Sequence, residues 1–425
     1  MGWEGYLYMY LPDTVDAVPA GKLVLDEEGT RSTGSQFGYG RRYLARTNAV
    51  PVDPVSLPLT CRPGDETFYE PVEPPLFGAV RDAAPDLWGR RVIEARLKVP
   101  PDAVPESTYL LNAGPYRFGA LDFRASLQDP EQDGLLPPIA QLDYLVDAVD
   151  RIQYGHPVPV ELEPVLAGGT MGGARPKAVV IHKREQYLAK FPAIRDGFDV
   201  PMVEWACLEL ARRAGLDVPR TEHLRLADGR SVLLIERFDR RAVGESFLRR
   251  HAVSALTLLG KDETESLGTR YSEIASCIGH LGVDRHVKAD RIELFGRIAF
   301  NILVSNDDDH LRNHAFVWDA EGKGWCLSPL YDVVPRPQLA TERLLHLSVG
   351  PKGRLATLDN LLESYGDFGL LRPDAAAIID RVASVTREWR VHFEELGVDP
   401  SQCEKIESAF RRPRDVGMAV VESAI

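Results

Sequence analysis

The sequence predicts an α+β protein in three parts: an α/β front section over 1–155, a small β-rich lobe over 156–245 and a helical lobe over 246–425. Three observations carry this. The opening 60 residues alternate apolar and polar side chains between Gly- and Asp-rich turns. Between Lys177 and Phe238 short strand-length apolar runs flank a single helix-spaced stretch, and beyond His251 helical spacing predominates.

In the front section, WEGYLYMYL, KLVLDEEGTRSTG and QFGYGRRYL read as strands. Pro51 to Pro75 is proline-rich and is expected to lie extended over a surface. DAAPDLWGRRVIEARLKVP reads as one amphipathic helix ending at Pro100, and ALDFRAS as a short strand. QLDYLVDAVDRIQYG places Leu142, Leu145, Val146 and Val149 on one helical face and ends at Gly155. The middle part offers a Gly-rich turn, a hairpin of AVVIHK and QYLAKF, a helix striped by Val203, Ala206, Leu210, Ala211 and Ala214 with Gly215 as its C-terminal cap, and the apolar strand SVLLIERF. In the last part, HAVSALTLLG, YSEIASCIGHLG and DRIELFGRIAFNILV read as helices. The third, with Ile292, Phe295, Ile298, Ala299, Ile302 and Leu303 on one face, is the buried central one. A polar loop and a hairpin, AFVW-DAEGKG-WCL, follow, and helices resume near Leu358.

Composition narrows the function classes. With 425 residues, 44% hydrophobic and 27% charged, the chain has the make-up of a folded globular protein with ample core. Fifty Lys and Arg against 63 Asp and Glu leave a net charge of −13, which weighs against direct nucleic-acid binding through the overall field. No apolar run approaches the roughly 18 residues of a membrane span. The start shows no signal peptide, and Tyr6 breaks the myristoylation pattern, so a cytoplasmic location away from membranes is expected. Cys61, Cys207, Cys277, Cys326 and Cys403 are scattered and form no CxxC pair, consistent with reduced, mostly buried thiols.

The densest polar cluster is SNDDDHLRNH, Ser305 to His314, directly after the central helix. Carboxylates there crowd the negative end of a helix dipole, and a solvated acidic loop is the ordinary reading. Yet Asp308 and Asn313 have the D-x-x-x-x-N spacing of a phosphoryl-transfer loop, in which the Asp orients a hydroxyl and the Asn holds a metal. After the hairpin comes LSPLYDVVP, whose Asp332 is expected exposed at a strand end. It offers a second oxygen ligand for Mg²⁺, or is simply a turn aspartate. Upstream, AGGTMGGARPKAVV brings Gly168, Gly169, Gly172 and Gly173, which would let backbone amides approach an anion, although no Walker A match exists. Lys190 on QYLAKF stands where a kinase places its phosphate-pairing lysine, with Glu204 as a candidate ion-pair partner on the next helix; alone, Lys190 reads as an ordinary surface lysine.

In order, Gly-Gly-Ala-Arg-Pro-Lys over 172–177, YLAKFP, LIERFDR, NDDDHLRNH and LYDVVP resemble the HipA family of bacterial serine/threonine kinases, the toxins of HipA/HipB-type toxin–antitoxin systems. FGYGRRYL, RDAAPDLWGRR and GPYRFGALDF extend the likeness over nearly the whole chain. The resemblance implies a two-lobed protein-kinase-like fold, with a small β-rich lobe and a helical C-terminal lobe, preceded by an α/β N-terminal domain. It implies ATP as phosphoryl donor and Mg²⁺ as cofactor. Asp308 would be the catalytic aspartate, and Asn313 and Asp332 the metal ligands. Gly172, Gly173, Ala174, Arg175, Lys177 and Lys190 would lie against the nucleotide, with His310, Arg312 and Tyr331 also matching nucleotide-contacting positions. Glu236, Arg237 and Phe238 would form the hinge beside the adenine, through backbone groups more than side chains. With Asp239 and Arg240, the charged hinge residues read alternatively as a surface salt-bridge cluster bracing that hinge. Many members autophosphorylate a serine just before the GGARPK-like loop; here Thr170 keeps a hydroxyl at that segment. The family implies a protein substrate in translation, such as an aminoacyl-tRNA synthetase, and a small helix-turn-helix antitoxin as partner.

Two other classes fit some of the residues. His310 and His314, at i and i+4 beside Asp307 to Asp309, suit a metal-dependent phosphohydrolase if that stretch is helical, although HExxH is missing. A kinase-shaped module without catalysis, partnering a DNA-binding antitoxin, is the other; Asp308, Asn313, Asp332 and Lys190 together weigh against it.

Overall fold

The computed structural model describes residues 2–59, 68–131, 136–159 and 173–425. It is an α+β protein, and the chain divides into two compact units. The first comprises Met1–Ile194, Arg225–Arg230 and Leu234–Asp262; the second comprises Arg195–Leu224, Ser231–Leu233 and Glu263–Ile425.

The chain opens with β1 (Gly2–Tyr10), β2 (Ala17–Glu28) and β3 (Arg31–Tyr39). Gly29, at φ +64°, closes the tight β2–β3 turn, a conformation that costs a residue with a Cβ about 1 kcal/mol. The third predicted strand stops at Tyr39, because Gly40 turns the chain into the single helical turn α1 (Arg41–Leu44). The proline-rich stretch is not a surface strap at its start. Val50, Val52 and Leu57 are buried, and the Asp53 carboxylate, also buried, accepts from the backbone N–H of Val55, Ser56 and Ala79.

The helix predicted to end at Pro100 is two helices, α2 (Gly78–Ala83) and α3 (Leu87–Leu97). Pro85 holds Ala84 extended, and Asp86 then caps α3, its carboxylate accepting from Gly89 N at 2.6 Å. Lys98 ends α3 in the left-handed conformation before Pro100 is reached. Next come α4 (Glu106–Asn112), β4 (Leu121–Arg124) and α5 (Leu142–Gln153), whose apolar face is buried as its spacing predicts. β4 joins the first sheet beside β1, giving the order β3-β2-β1-β4.

β5 (Lys177–His182) and β6 (Glu185–Lys190) form an antiparallel hairpin. Its two turn residues, Lys183 and Arg184, both have positive φ, the backbone a two-residue hairpin turn requires. α6 (Val200–Arg213) starts at an Asp199 cap, with Pro201 in its first turn, and ends before Gly215 at φ +81°. β7 (Thr221–Arg225) and β8 (Ser231–Glu236) follow. β9 (Arg240–Val243) and β10 (Ser246–Arg249) pair next. HAVSALTLLG begins extended as β11 (Ala252–Ser254) and becomes helical only in α7 (Ala255–Leu258), since Ser254 N and Oγ both bond the buried Asp82.

The second unit is mainly helical: α8 (Glu263–Ser266), α9 (Tyr271–Leu281) and α10 (Asp284–Val304) lead to the hairpin β12 (Ala315–Asp319) and β13 (Gly324–Leu327). α10 starts six residues before the apolar pattern that predicted it. From Leu294 to Val304 every residue is buried, so its second half is a core rod rather than a one-faced helix. α11 (Leu358–Leu362), α12 (Arg372–Arg387), α13 (Trp389–Glu395), α14 (Pro400–Ile406) and α15 (Met418–Glu422) complete the unit. Among the described residues no helix is long and apolar enough to cross a membrane.

Candidate active site

The polar loop Ser305–Asn313 hangs from the buried end of α10, and its fixed start determines where its carboxylates point. Ser305, at φ +52°, ends the helix in the left-handed conformation, and Asn306 N bonds back to Asn301 O at 3.0 Å. The three aspartates then part company. Asp309 turns inward and is buried, accepting from Tyr271 OH at 2.5 Å, Asn301 Nδ2 at 2.8 Å and His314 Nε2 at 3.0 Å. Burial alone would raise its pKa, but the pull of His314 and the bonds it accepts prevail and hold it below the usual carboxylate value. Tyr271 is pushed well up, by burial and by the Asp309 charge. Asp307, half-buried, is raised by loss of water, against the pull of Arg336.

Asp308 alone faces outward. Its side chain is 52% exposed and meets Arg336 Nη2 at 2.5 Å. The chain behind it is pinned, because Asn313 Nδ2 donates to Asp308 O at 3.0 Å. This closes the loop through the short 3₁₀ turn Leu311–Asn313. The segment carrying Asp332 lies along the same loop: Tyr331 OH donates to Arg312 O at 2.7 Å, and Arg336 N to Ser305 O at 3.2 Å. Asp332 is partly buried and stands five residues beyond β13 rather than at a strand end. Its φ of +59° is the left-handed region, which an aspartate tolerates at a cost of about 1 kcal/mol. The segment carrying Asp332 thus runs beside the loop that carries Asp308 and Asn313, residues that offer two carboxylates and an amide oxygen. Such a donor set, all oxygen and no sulfur, suits a hard cation.

The two histidines of the loop do not share a helix. His314 is buried against Asp309, and the His310 ring sits 5.9 Å from that of His346. His346 is held below its ordinary pKa by burial and by the nearby His310. Arg312 pairs with Glu263. Spacing alone did not indicate Arg336, Tyr271, Asn301 or His346.

In the first unit, Gly173 (φ +115°) and Ala174 are exposed and Arg175 is partly buried. Gly168, Gly169, Thr170 and Gly172 lie outside the described residues. Lys177 is buried, its Nζ 2.5 Å from the Asp86 carboxylate and donating to Gly173 O at 3.1 Å. A lysine expected against nucleotide is thus tied to the cap of α3, and Trp88 Nε1 bonds its carbonyl at 2.8 Å. Lys190, buried at the end of β6, is the cross-strand neighbour of Lys177. In the second unit, Glu204 is buried on α6.

The hinge charges depart from the surface-cluster reading. Glu236 is partly buried at the end of β8, and Arg237 N continues the ladder to Gln186 O at 2.9 Å. The side chains of Arg237, Asp239 and Arg240 are essentially fully buried. Arg237 donates to Tyr116 O and Arg117 O at 2.8 Å, Arg240 to Gly119 O at 2.8 Å, and Asp239 Oδ2 accepts from Gly119 N at 2.8 Å. Phe238 packs edge-on against Phe118. The turn Tyr116–Gly119 is thereby locked to the stretch after β8. Gly119 has φ +71°, and a Cβ there would lie 2.9 Å from Ala252 O. Gly119→Ala is expected to cost about 2 kcal/mol through strain and overpacking, read as a lowered urea midpoint.

Comparison with known proteins adds four relations. A family model described as the HipA-like C-terminal domain matches residues 169–389, just over half of the chain. "Putative kinase Y4mE" of Sinorhizobium fredii is 26% identical over 350 residues, covering 76% of this chain and 77% of that protein. A Haemophilus influenzae protein with the description "Putative kinase" is 25% identical over 225 residues, 47% of this chain and 64% of its own. Among solved structures, the HipA chain of the Shewanella oneidensis toxin–antitoxin complex with HipB and operator DNA superimposes with a TM-score of 0.65 at 18% identity. The match covers 98% of this chain and 97% of that one, and at that identity it speaks for the fold.

Proposed function

The chain belongs to the HipA family of kinases, and from that premise we propose that it is an ATP- and Mg²⁺-dependent protein serine/threonine kinase. The observation that carries the reading is the division of labour in the loop after α10: Asp309 is spent on buried bonds from the side chains of Tyr271, Asn301 and His314, while its neighbour Asp308 is presented to solvent. In this reading Asp308 orients the substrate hydroxyl and takes its proton. Asn313 gives its Nδ2 to Asp308 O, which leaves its Oδ1 for a cation shared with Asp332. Bound Mg²⁺ would screen the charge on the transferred phosphoryl group. Lys190, with Glu204 as its partner, the stretch from Gly172 to Lys177, and His310, Arg312 and Tyr331 would position the nucleotide. Glu236, Arg237 and Phe238 would meet the adenine through backbone, since the Arg237 guanidinium is committed to Asp239 and the 116–117 carbonyls. The functional parts would be an N-terminal domain over 1–155, a small lobe over 156–245 and a large lobe over 246–425.

The solved relative is a HipA with HipB on operator DNA. By that analogy the partner here is a small helix-turn-helix antitoxin, and the protein acts in the cytoplasm as a toxin on a translation component. The experiment is incubation of the full chain with γ-labelled ATP, Mg²⁺ and a cell lysate, followed by identification of the labelled residues. The expected result is Mg²⁺-dependent label on a serine or threonine of another protein, with Thr170 labelled in the chain itself. Absence of any transfer, from a folded protein, would refute the proposal.

A further inference from the structure

On the far side of α10 from the loop's anchor, the β12–β13 hairpin is pressed onto the start of the helix. Val283 N donates to Trp325 O at 3.3 Å, and Leu327 N donates to Asp290 Oδ2 at 3.0 Å. Hydrogens stand in for side chains at the contact: a Cβ on Gly322 or Gly324 would lie 2.3 or 2.9 Å from the Val283 methyls. Three chemically distinct metal ligands meet there. His286 stands one turn before Asp290 on the helix face turned to the hairpin, and its Nε2 is 3.9 Å from Asp319 Oδ2. In the hairpin register Val317 opposes Cys326, so Asp319 and Cys326 are diagonal neighbours on one face, while Trp318 and Trp325 pair on the other. One ligand atom from each of His286, Asp319 and Cys326 lies within 4.8 Å of the others.

We propose that His286, Asp319 and Cys326 form a binding site for a divalent transition metal, zinc by its ligand chemistry. Imidazole nitrogen, carboxylate oxygen and thiolate sulfur are the three donor types that Zn²⁺ accepts together, whereas a sulfur ligand disfavours Mg²⁺ and Ca²⁺. The backbone bonds on both sides of the cluster hold the ligands without the metal, so little ordering is left for binding to supply. A cation already occupies the position in another form. The Arg285 guanidinium bonds Asp319 Oδ2 at 2.5 Å, and its Nε lies 3.1 Å from His286 Nε2. Arg285 also holds Glu321 at 2.9 Å, so it keeps a partner when a metal displaces it from Asp319. On binding, the Cys326 thiol releases its proton to solvent as the metal–sulfur bond forms, His286 binds as neutral imidazole, and water completes the coordination. The site ties the first turn of α10 to the hairpin that separates Asn313 from Asp332, which gives a metal purchase on both stretches.

The test is titration of the reduced full-length chain with Co²⁺, followed in absorbance, then with Zn²⁺ in competition. Expected are a thiolate-to-cobalt charge-transfer band at one equivalent, its displacement by Zn²⁺, loss of the band in Cys326→Ser, and Zn²⁺ affinity at least ~100-fold weaker in that variant. His286→Gln, at a partly exposed position, serves as the second variant and is expected to weaken Zn²⁺ at least ~10-fold. No band in the wild-type chain, a band that survives Cys326→Ser, or unchanged affinity in His286→Gln would overturn the site. None of these readings depends on phosphoryl transfer.

Discussion

Asp308→Ala and Asp309→Ala, adjacent substitutions of the same kind, are expected to fail in opposite ways. Asp308 is half exposed and its side chain meets the similarly exposed Arg336, a pair worth about 0–1 kcal/mol, so its loss leaves the unfolding midpoint nearly unchanged. If it orients the substrate hydroxyl, phosphoryl transfer falls by about 10² to 10⁴-fold, the range a positioned acid–base group supplies. Asp309→Ala removes a buried carboxylate that accepts from Tyr271, Asn301 and His314, leaving three buried donors without their acceptor. That costs about 3–5 kcal/mol of stability, and any activity lost with it follows the unfolded fraction. Urea unfolding and transfer rates measured on both variants separate the two roles. A destabilised but active Asp308→Ala would reverse the assignment.

The second large effect lies in the first unit. Asp239 is fully buried between Arg237 and Arg240. Burial works against its charge, yet the two guanidinium groups prevail and hold its pKa at about 2, below the ordinary 3.8. A carboxyl whose folded pKa is depressed adds stability above its unfolded value and loses it as pH falls through the folded one. The contribution of Asp239 is therefore whole above about pH 4 and disappears between there and about pH 2. Asp239→Asn leaves two buried arginines without their counter-charge and frees Gly119 N from a carboxylate. The expected cost is about 3–5 kcal/mol at neutral pH, with a flatter acid limb below pH 4 than the wild-type chain. A loss under 1 kcal/mol in urea unfolding would mean the cluster is not a brace.

How much of this was legible in the sequence follows from the range of each interaction. Whereas burial of α10 on all sides does not, the existence of the buried α10, the β12–β13 hairpin and the α5 face depends on local periodicity and emerges directly. So does the pairing of Asp308 with Asn313, five residues apart and joined by a hydrogen bond in the structure. Arg336, 28 residues beyond Asp308, carries no spacing rule that would bring it back to the loop. Nor does sequence tell three consecutive aspartates apart: only the packing of Tyr271 and Asn301 beneath the loop selects Asp309 for burial. The charges of LIERFDR look like surface because charged runs usually are. They are buried here because the carbonyls of Tyr116, Arg117 and Gly119, some 120 residues away, receive them. The break between α2 and α3 was visible in Pro85 and Asp86, and amphipathic spacing across it masked the signal.

Calorimetric titration of ATP into the folded chain, with and without Mg²⁺, is the most direct measurement of the central claim. Binding is expected to require Mg²⁺, with the metal dependence lost in Asp332→Ala and retained in Asp308→Ala. ATP binding indifferent to Mg²⁺, or an Asp332→Ala variant that responds to Mg²⁺ as the parent does, would contradict it.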